Sequence, residues 1–267
     1  MYNMDIQRVK LIAVDMDGTL LNSRKELPPD FYTVFDKLRK KNILFAIASG
    51  RQYYNLVSEV APVKEDIIFI AENGSYVAHD HKEILVQPLN LQKAHELISI
   101  ARTIKDVDII LCGKKQAYIE SDAPGFLEHV NMYYNRRVRV EDLLKVKDDE
   151  VLKIALCDFG GSEQNSYTHF KHMENEIQVT VSGTLWLDIA DKSANKGIAL
   201  KAIQQMYNIG YDETMVFGDY MNDLEMMKKG YFSYAMANAH PEVKAAANFI
   251  TGSNDDNGVM KVVAEMV

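Results

Sequence analysis

Asp15 and Asp17 follow directly on the apolar run Val9-Lys10-Leu11-Ile12-Ala13-Val14 and precede Gly18-Thr19. Such a run reads as a buried strand, and open α/β sheets bind ligands at the carboxyl ends of their strands. A carboxylate there can attack phosphorus, hold magnesium or move a proton. Asp15 is the candidate nucleophile, forming an aspartyl-phosphate that water then hydrolyses. Asp17 is the candidate general acid/base: it gives a proton to the leaving oxygen, then takes one from water. Paired carboxylates of this kind work with one ionised and one protonated, so the expected state is Asp15 charged and Asp17 carrying the proton. The bland readings are an ordinary turn or a calcium loop. A helix–loop–helix calcium loop needs more acids and a terminal Glu, and Leu20, Leu21 and Lys25 break that pattern.

Further segments supply what phosphoryl transfer also needs: cations, amide donors and metal ligands. Ser49-Gly50-Arg51 follows the run 43–48 and offers a hydroxyl and free amides, or simply a helix cap. Lys196 lies at a predicted helix start, where a cation is unfavourable unless an anion is bound. Asp219 ends the run 214–217 as Asp15 ends the first. With Asp15 and the backbone carbonyl of Asp17 it offers Mg²⁺ a set of protein oxygens. Asn222 and Asp223 sit on the next turn; one can reach the phosphoryl group and the other can orient the metal shell. Asn73, in Glu72-Asn73-Gly74, either shapes the site or only makes a turn. Asp188 is placed to face the cleft from a strand. The pairs His79-x-His81 and His169-x-x-His172 make no convincing ligand set.

The elements that must position these residues alternate. Strands are expected over 9–14, 43–48 and 67–71, with helices over 31–41 and 52–60, followed by short strands at 76–77 and 84–86. Runs apolar on both faces and separated by helices predict a parallel sheet covered on both sides. From about 88 to 188 the pattern becomes α+β. Helices are expected over 91–104, 125–134 and 163–175, and strands over 107–112, 117–119, 151–157, 177–181 and 185–189. A hairpin turn is expected at Ser182-Gly183. Alternation then returns, with helices over 195–207, 222–229 and 241–247 and strands over 214–217 and 232–236. The polar stretch 252–258 reads as a surface loop. The division expected is a catalytic core from 1–86 and 190–267, with an inserted cap over 87–189.

The chain has 267 residues and 47% hydrophobic content, enough for a large core. A net charge of −8 leaves no basic face for nucleic acid. It also means that local cations must hold an anionic substrate. No apolar stretch approaches the roughly 20 residues that span a membrane. The segment 1–8 is short and polar, unlike a secretory leader. The expectation is a cytoplasmic monomer or weak homo-oligomer acting on a small phosphate ester, without membrane or nucleic-acid partners. Cys112 and Cys157, each in an apolar run, read as free buried thiols.

The order Asp-x-Asp-Gly-Thr, Ser-Gly-Arg, Lys, Gly-Asp-x-x-Asn-Asp resembles the haloacid dehalogenase-like hydrolase superfamily. The long insertion is similar to the α/β cap of its Cof-type branch. Ser49-Gly50-Arg51-Gln52-Tyr53-Tyr54, Ala71-Glu72-Asn73-Gly74 and Leu111-Cys112-Gly113 through Gln116-Ala117-Tyr118 resemble bacterial sugar-phosphate phosphatases in that branch. The resemblance implies a three-layer, doubly wound α/β core with an inserted α+β cap. It implies Asp15 as nucleophile, Asp17 as acid/base, and Mg²⁺ on Asp15, the Asp17 carbonyl and Asp219. Phosphate would contact the Met16 amide, Ser49, Gly50, Lys196 and Asn222, while cap residues choose the leaving group. Similar enzymes often carry a small residue or Asn where Arg51 stands, and Arg51 is here a candidate contact for an anionic part of the substrate. A phosphomutase is the rival reading, as are FMN or pyridoxal phosphate as substrates. A non-catalytic metabolite sensor fits poorly, because every acid is present.

Overall fold

The computed structural model describes residues 5–267. Residues 1–4, the start of the segment read as lacking a secretory leader, lie outside the described residues. The chain opens with β1 (Leu11–Asp15), α1 (Phe31–Lys40), β2 (Leu44–Ala48), α2 (Tyr53–Glu59), β3 (Ile67–Ala71), β4 (Tyr76–His79) and β5 (Lys82–Val86). The middle holds α3 (Leu91–Ala101), β6 (Val107–Gly113), β7 (Ala117–Ile119), α4 (Pro124–Tyr133), β8 (Arg137–Arg139), β9 (Val151–Asp158), α5 (Ser166–Phe170), β10 (Ile177–Gly183) and β11 (Trp186–Asp191). The last part holds α6 (Lys196–Tyr207), β12 (Thr214–Gly218), α7 (Leu224–Met227), β13 (Phe232–Ala235), α8 (Pro241–Ala246), β14 (Phe249–Ile250) and α9 (Gly258–Val263).

The main sheet runs β14-β13-β12-β1-β2-β3-β4-β5. It is parallel from β14 to β3, and β4 and β5 close one edge antiparallel. β1 is buried at every position, as a strand covered on both faces must be. On one side α1 packs near α9; elsewhere α7 packs with both α6 and α8. Phe31, Val34, Phe35 and Leu38 form the buried stripe of α1, at the spacing of one helix face. The strand order reverses at β1, flanked by β2 and β12. Asp15 therefore ends its strand at the switch point where open sheets leave a crevice.

The second sheet, β10-β11-β9-β6-β7-β8, is antiparallel except between β7 and β8. Its alternating side chains enter two separate cores. Ile109, Leu111, Ile154 and Leu156 pack with α3 and Phe170, while Ile110, Cys112, Ala155 and Cys157 pack with Phe126 and Val130 of α4. Both cysteines are buried and free. The architecture is thus a parallel-sheet α/β core carrying an inserted, largely antiparallel α+β layer. Among the described residues no helix is long and apolar enough to cross a membrane.

Several elements differ from the sequence expectation. The helix expected over 163–175 shrinks to α5 and a single 3-10 turn, Lys171–Met173. Asp158 is the cause: its carboxylate accepts from the Gly160 amide (2.9 Å), the Ser166 amide (2.8 Å) and Asn165 Nδ2 (2.9 Å), which fixes 158–165 as a loop. The helix expected over 222–229 is likewise split into the 3-10 turn Met221–Asp223 and α7. There, Asp223 Oδ2 holds the amides of Asp219 and Tyr220. The hairpin does not turn at Ser182-Gly183: β10 runs to Gly183, with a register shift after Val181. β8 is exposed throughout and β14 is two residues long, so neither shows the apolar run of a buried strand. α9 also went unread, inside a C-terminal stretch taken no further than its preceding loop. That loop is not wholly surface, because Asn254 is buried and donates to the Leu21 carbonyl at 2.9 Å.

Candidate active site

The turn after β1 closes on Gly18 at φ +82°, and a Cβ there would lie 2.4 Å from Asp219 Oδ2. Glycine is what lets the two acidic segments touch. Thr19 Oγ1 donates to Asp219 Oδ1 at 3.0 Å. Carboxylate oxygens of Asp15, Asp219 and Asp223 all lie within 4.8 Å of one another.

Lys196 enters from the first turn of α6, whose N-cap Asn195 accepts from the Ile198 amide at 2.9 Å. It is fully buried, with Nζ 2.5 Å from Asp15 Oδ1 and 2.7 Å from Asp223 Oδ1. The carboxylates, not only a bound anion, resolve its awkward place at a helix start. They hold its ammonium well above the usual lysine value although burial opposes the charge. Three carboxyl groups face one ammonium, so the acids outnumber the cation. Burial, then Asp223, pushes Asp15 well above the usual carboxylate value, against the pull of Lys196. Burial and then Asp223 push Asp219 to about 6. Asp15 Oδ2 is buried with no hydrogen-bond partner. Buried acids that outnumber their cations, with ligand oxygens converging within 4.8 Å, fit a divalent cation bound through oxygen.

Asp17 departs from its expected state. Arg51 Nε and Nη2 grip both its oxygens at 2.6 Å, and Lys25 Nζ adds a bond at 2.7 Å. Burial works against the charge, but Arg51 and Lys25 outweigh it and hold the carboxyl below its usual value. In this conformation Asp17 is an ionised partner of Arg51, not a proton carrier. Arg51 is engaged by its own neighbours as well: it also bonds Asn55 Oδ1 (3.1 Å) and Glu59 Oε1 (2.9 Å), with the Tyr133 ring over its guanidinium.

Asp15, Asp17, Ser49, Gly50, Arg51, Asp188, Asp219 and Asn222 all line one cavity of about 480 Å³ between the sheets. Lys196, which pairs with Asp15 and Asp223, is fully buried, as are Asp223 and Met16. Ser49 Oγ accepts from the Arg51 amide at 3.1 Å. Asn73 reaches across the sheets, donating to Asp188 Oδ2 (2.6 Å) and accepting from Asn222 Nδ2 (3.0 Å). The turn carrying it packs on α6 at Gly74 (φ +100°), where a Cβ would meet the Asn195 carbonyl at 2.4 Å. The opposite wall comes from the second sheet and α4: His129, Tyr133, Tyr134, Lys153, Ser182 and Trp186. Tyr133 and Trp186 meet edge to face, with ring centroids 5.7 Å apart. Sequence reading missed Lys153 although it left a signal: one cation inside the apolar run Val151-Leu152-Lys153-Ile154-Ala155-Leu156.

The fold and site together define a capped α/β hydrolase with an acidic centre at a strand end. Residues 12–263 match the family described as haloacid dehalogenase-like hydrolase. The chain belongs to that family, in its Cof-type branch, and is a phosphatase. It is 31% identical over 261 residues to 5-amino-6-(5-phospho-D-ribitylamino)uracil phosphatase YbjI of Escherichia coli (strain K12), covering 97% of this chain and 96% of that one. It is 25% identical to the HMP-PP phosphatase of Shigella flexneri serotype 5b, over 88% of this chain and 87% of that one. The crystal structure of SMU.1108c from Streptococcus mutans UA159 superposes with a TM-score of 0.89 at 29% identity, covering 96% and 98% of the two chains.

Proposed function

We propose that this chain is a Mg²⁺-dependent phosphatase of small phosphorylated metabolites, sugar phosphates foremost, working through an aspartyl-phosphate on Asp15. The observation that carries the reading is Asp15 itself. One oxygen is pinned by Lys196, and the other is buried and unpartnered at the end of the central strand. That free oxygen forms the bond to phosphorus as the ester oxygen leaves. Asp17 gives the leaving oxygen a proton and then takes one from the water that hydrolyses the acyl phosphate. The proton-carrying state belongs to a conformation in which Asp17 has released Arg51. Ser49, Gly50, Asn222 and the Met16 amide take the phosphoryl oxygens. Asp15, Asp219 and the Asp17 carbonyl would hold Mg²⁺, with Asp223 orienting them, and the ion would neutralise charge on the phosphoryl group.

The wall of Tyr133 and Trp186 favours leaving groups with a flat face, such as a sugar ring or a heteroaromatic ring. The compound for which the Escherichia coli relative is named, a phosphorylated ribityl chain on a uracil, is of that kind. FMN and pyridoxal phosphate belong to the same chemical class. A phosphate-release screen over many phosphate esters, with and without Mg²⁺, tests the reading. Asp15→Asn abolishes turnover, and Asp17→Asn lowers it by roughly 10²–10⁴-fold. Phosphate release by Asp15→Asn at the wild-type rate would refute the assignment. A hexose 1-phosphate converted to its 6-phosphate would instead show a mutase.

A further inference from the structure

A second charged cluster is buried where the two sheets meet. Lys153 on β9, Asp188 on β11 and Glu72 in the turn behind β3 are 1%, 5% and 1% exposed. Lys153 Nζ lies 2.9 Å from Asp188 Oδ1 and 3.1 Å from Glu72 Oε2, and donates to the Gly50 carbonyl at 2.7 Å. The bond to Gly50 is a hydrogen bond, whereas Glu72 Oε2 is buried without a hydrogen-bond partner and is held by charge alone. Asp188 Oδ2 accepts from Ser182 Oγ and Asn73 Nδ2, both at 2.6 Å, and Asn73 Oδ1 accepts from Asn222 Nδ2.

Adhesion between the sheets does not account for this cluster. Well-packed apolar side chains hold an interface as firmly as a buried ion pair, or more so. The turn is costly as well: Glu72 (φ +51°) and Asn73 (φ +56°) both adopt left-handed backbone, which Asn tolerates and Glu does not favour. What the network achieves lies at its far ends. The Gly50–Arg51 peptide is held on both sides, its carbonyl by Lys153 and its N–H by Ser49 Oγ. Because Ser49 Oγ accepts that bond, its own proton is free to point into the cavity. The Asn222 amide is fixed in turn through Asn73 and Asp188.

We propose that Lys153, acting through Gly50 directly and through Asp188 and Asn73, is a positioning residue for the transferred phosphoryl group. The second sheet thereby helps to build the phosphoryl pocket in addition to walling the leaving group. This inference rests on the phosphatase reading above.

The test compares wild type with Lys153→Met/Glu72→Gln, which removes a cation and an anion together. Acetyl phosphate, p-nitrophenyl phosphate and a hexose phosphate are the substrates, well below the melting temperature, and orthovanadate is the inhibitor. The expected result is the same kcat loss on all three esters, roughly 10–100-fold as misplacement of reacting groups brings, with KM little changed. Vanadate inhibition weakens by a similar factor. A loss confined to the hexose phosphate or to KM assigns Lys153 to leaving-group selection and overturns the proposal, as does an unchanged kcat. Wild-type protein inert toward every ester would sink the phosphatase reading itself, which is a separate outcome. If the double variant does not fold, Asp188→Asn is read in the same assay against the same uniform kcat loss.

Discussion

Among the described residues Lys196 is the only cation paired with Asp15, and its removal tests how the acidic centre is balanced. Lys196→Met leaves Asp15 and Asp223 buried without their counter-charge. We expect a stability loss of about 3–5 kcal/mol in urea unfolding without divalent ions, and turnover lost altogether. Mg²⁺ should restore part of the stability but none of the turnover. Asp15, Lys196 and Asp219 were legible because each occupies a strand end or a helix start, positions that sequence periodicity locates. Arg51 and Asp17 were legible as site residues but not as partners, since the ion pair closes 34 positions along the chain. A cation's type does not reveal which anion it will find. Lys153 had a visible signal, but only the pairing of β9 with β6 and β11 turns an odd lysine into a buried one.

At the scale of elements, the turn behind β1 carries the sharpest constraint. Gly18→Ala adds a Cβ against Asp219 at a positive φ. It should cost more than about 1 kcal/mol and raise the Mg²⁺ concentration needed for half-maximal activity. A titration of activity against Mg²⁺ checks this, and an unchanged midpoint would contradict the contact between the segments. The long parallel strands and α1 were readable because burial imposes a period on them. Residues 163–165 and 222–223 do not carry such a period. There, Asp158 and Asp223 accept from nearby amides and override local helix preference. β8 escaped because all of its residues are exposed.

Across the whole molecule, the acidic centre ties stability to pH. Without an ion, the raised value of Asp219, about 6, means that the folded state keeps a proton the unfolded chain would release. That contribution is complete below the ordinary carboxylate value and disappears as pH rises through about 6. An ion must displace this proton, so Mg²⁺ should raise the melting temperature more at about pH 7.5 than at about pH 5. Equal shifts at both values would argue against Asp219 as a ligand. The two sheets are also bound by more than the cavity. Gln52 exchanges two hydrogen bonds with the Arg136 backbone (2.7 and 2.9 Å), and Asn55 donates to the Met132 carbonyl and to Asn135 Oδ1. Cys112 and Cys157 both lie under α4 in the second sheet. Burial keeps both thiols protonated, pushing Cys157 up to about 12. A maleimide dye offered to the native enzyme would therefore go unreacted until that layer opens, and its uptake would clock the opening of this layer while the catalytic floor, which holds no sulfhydryl, stayed silent.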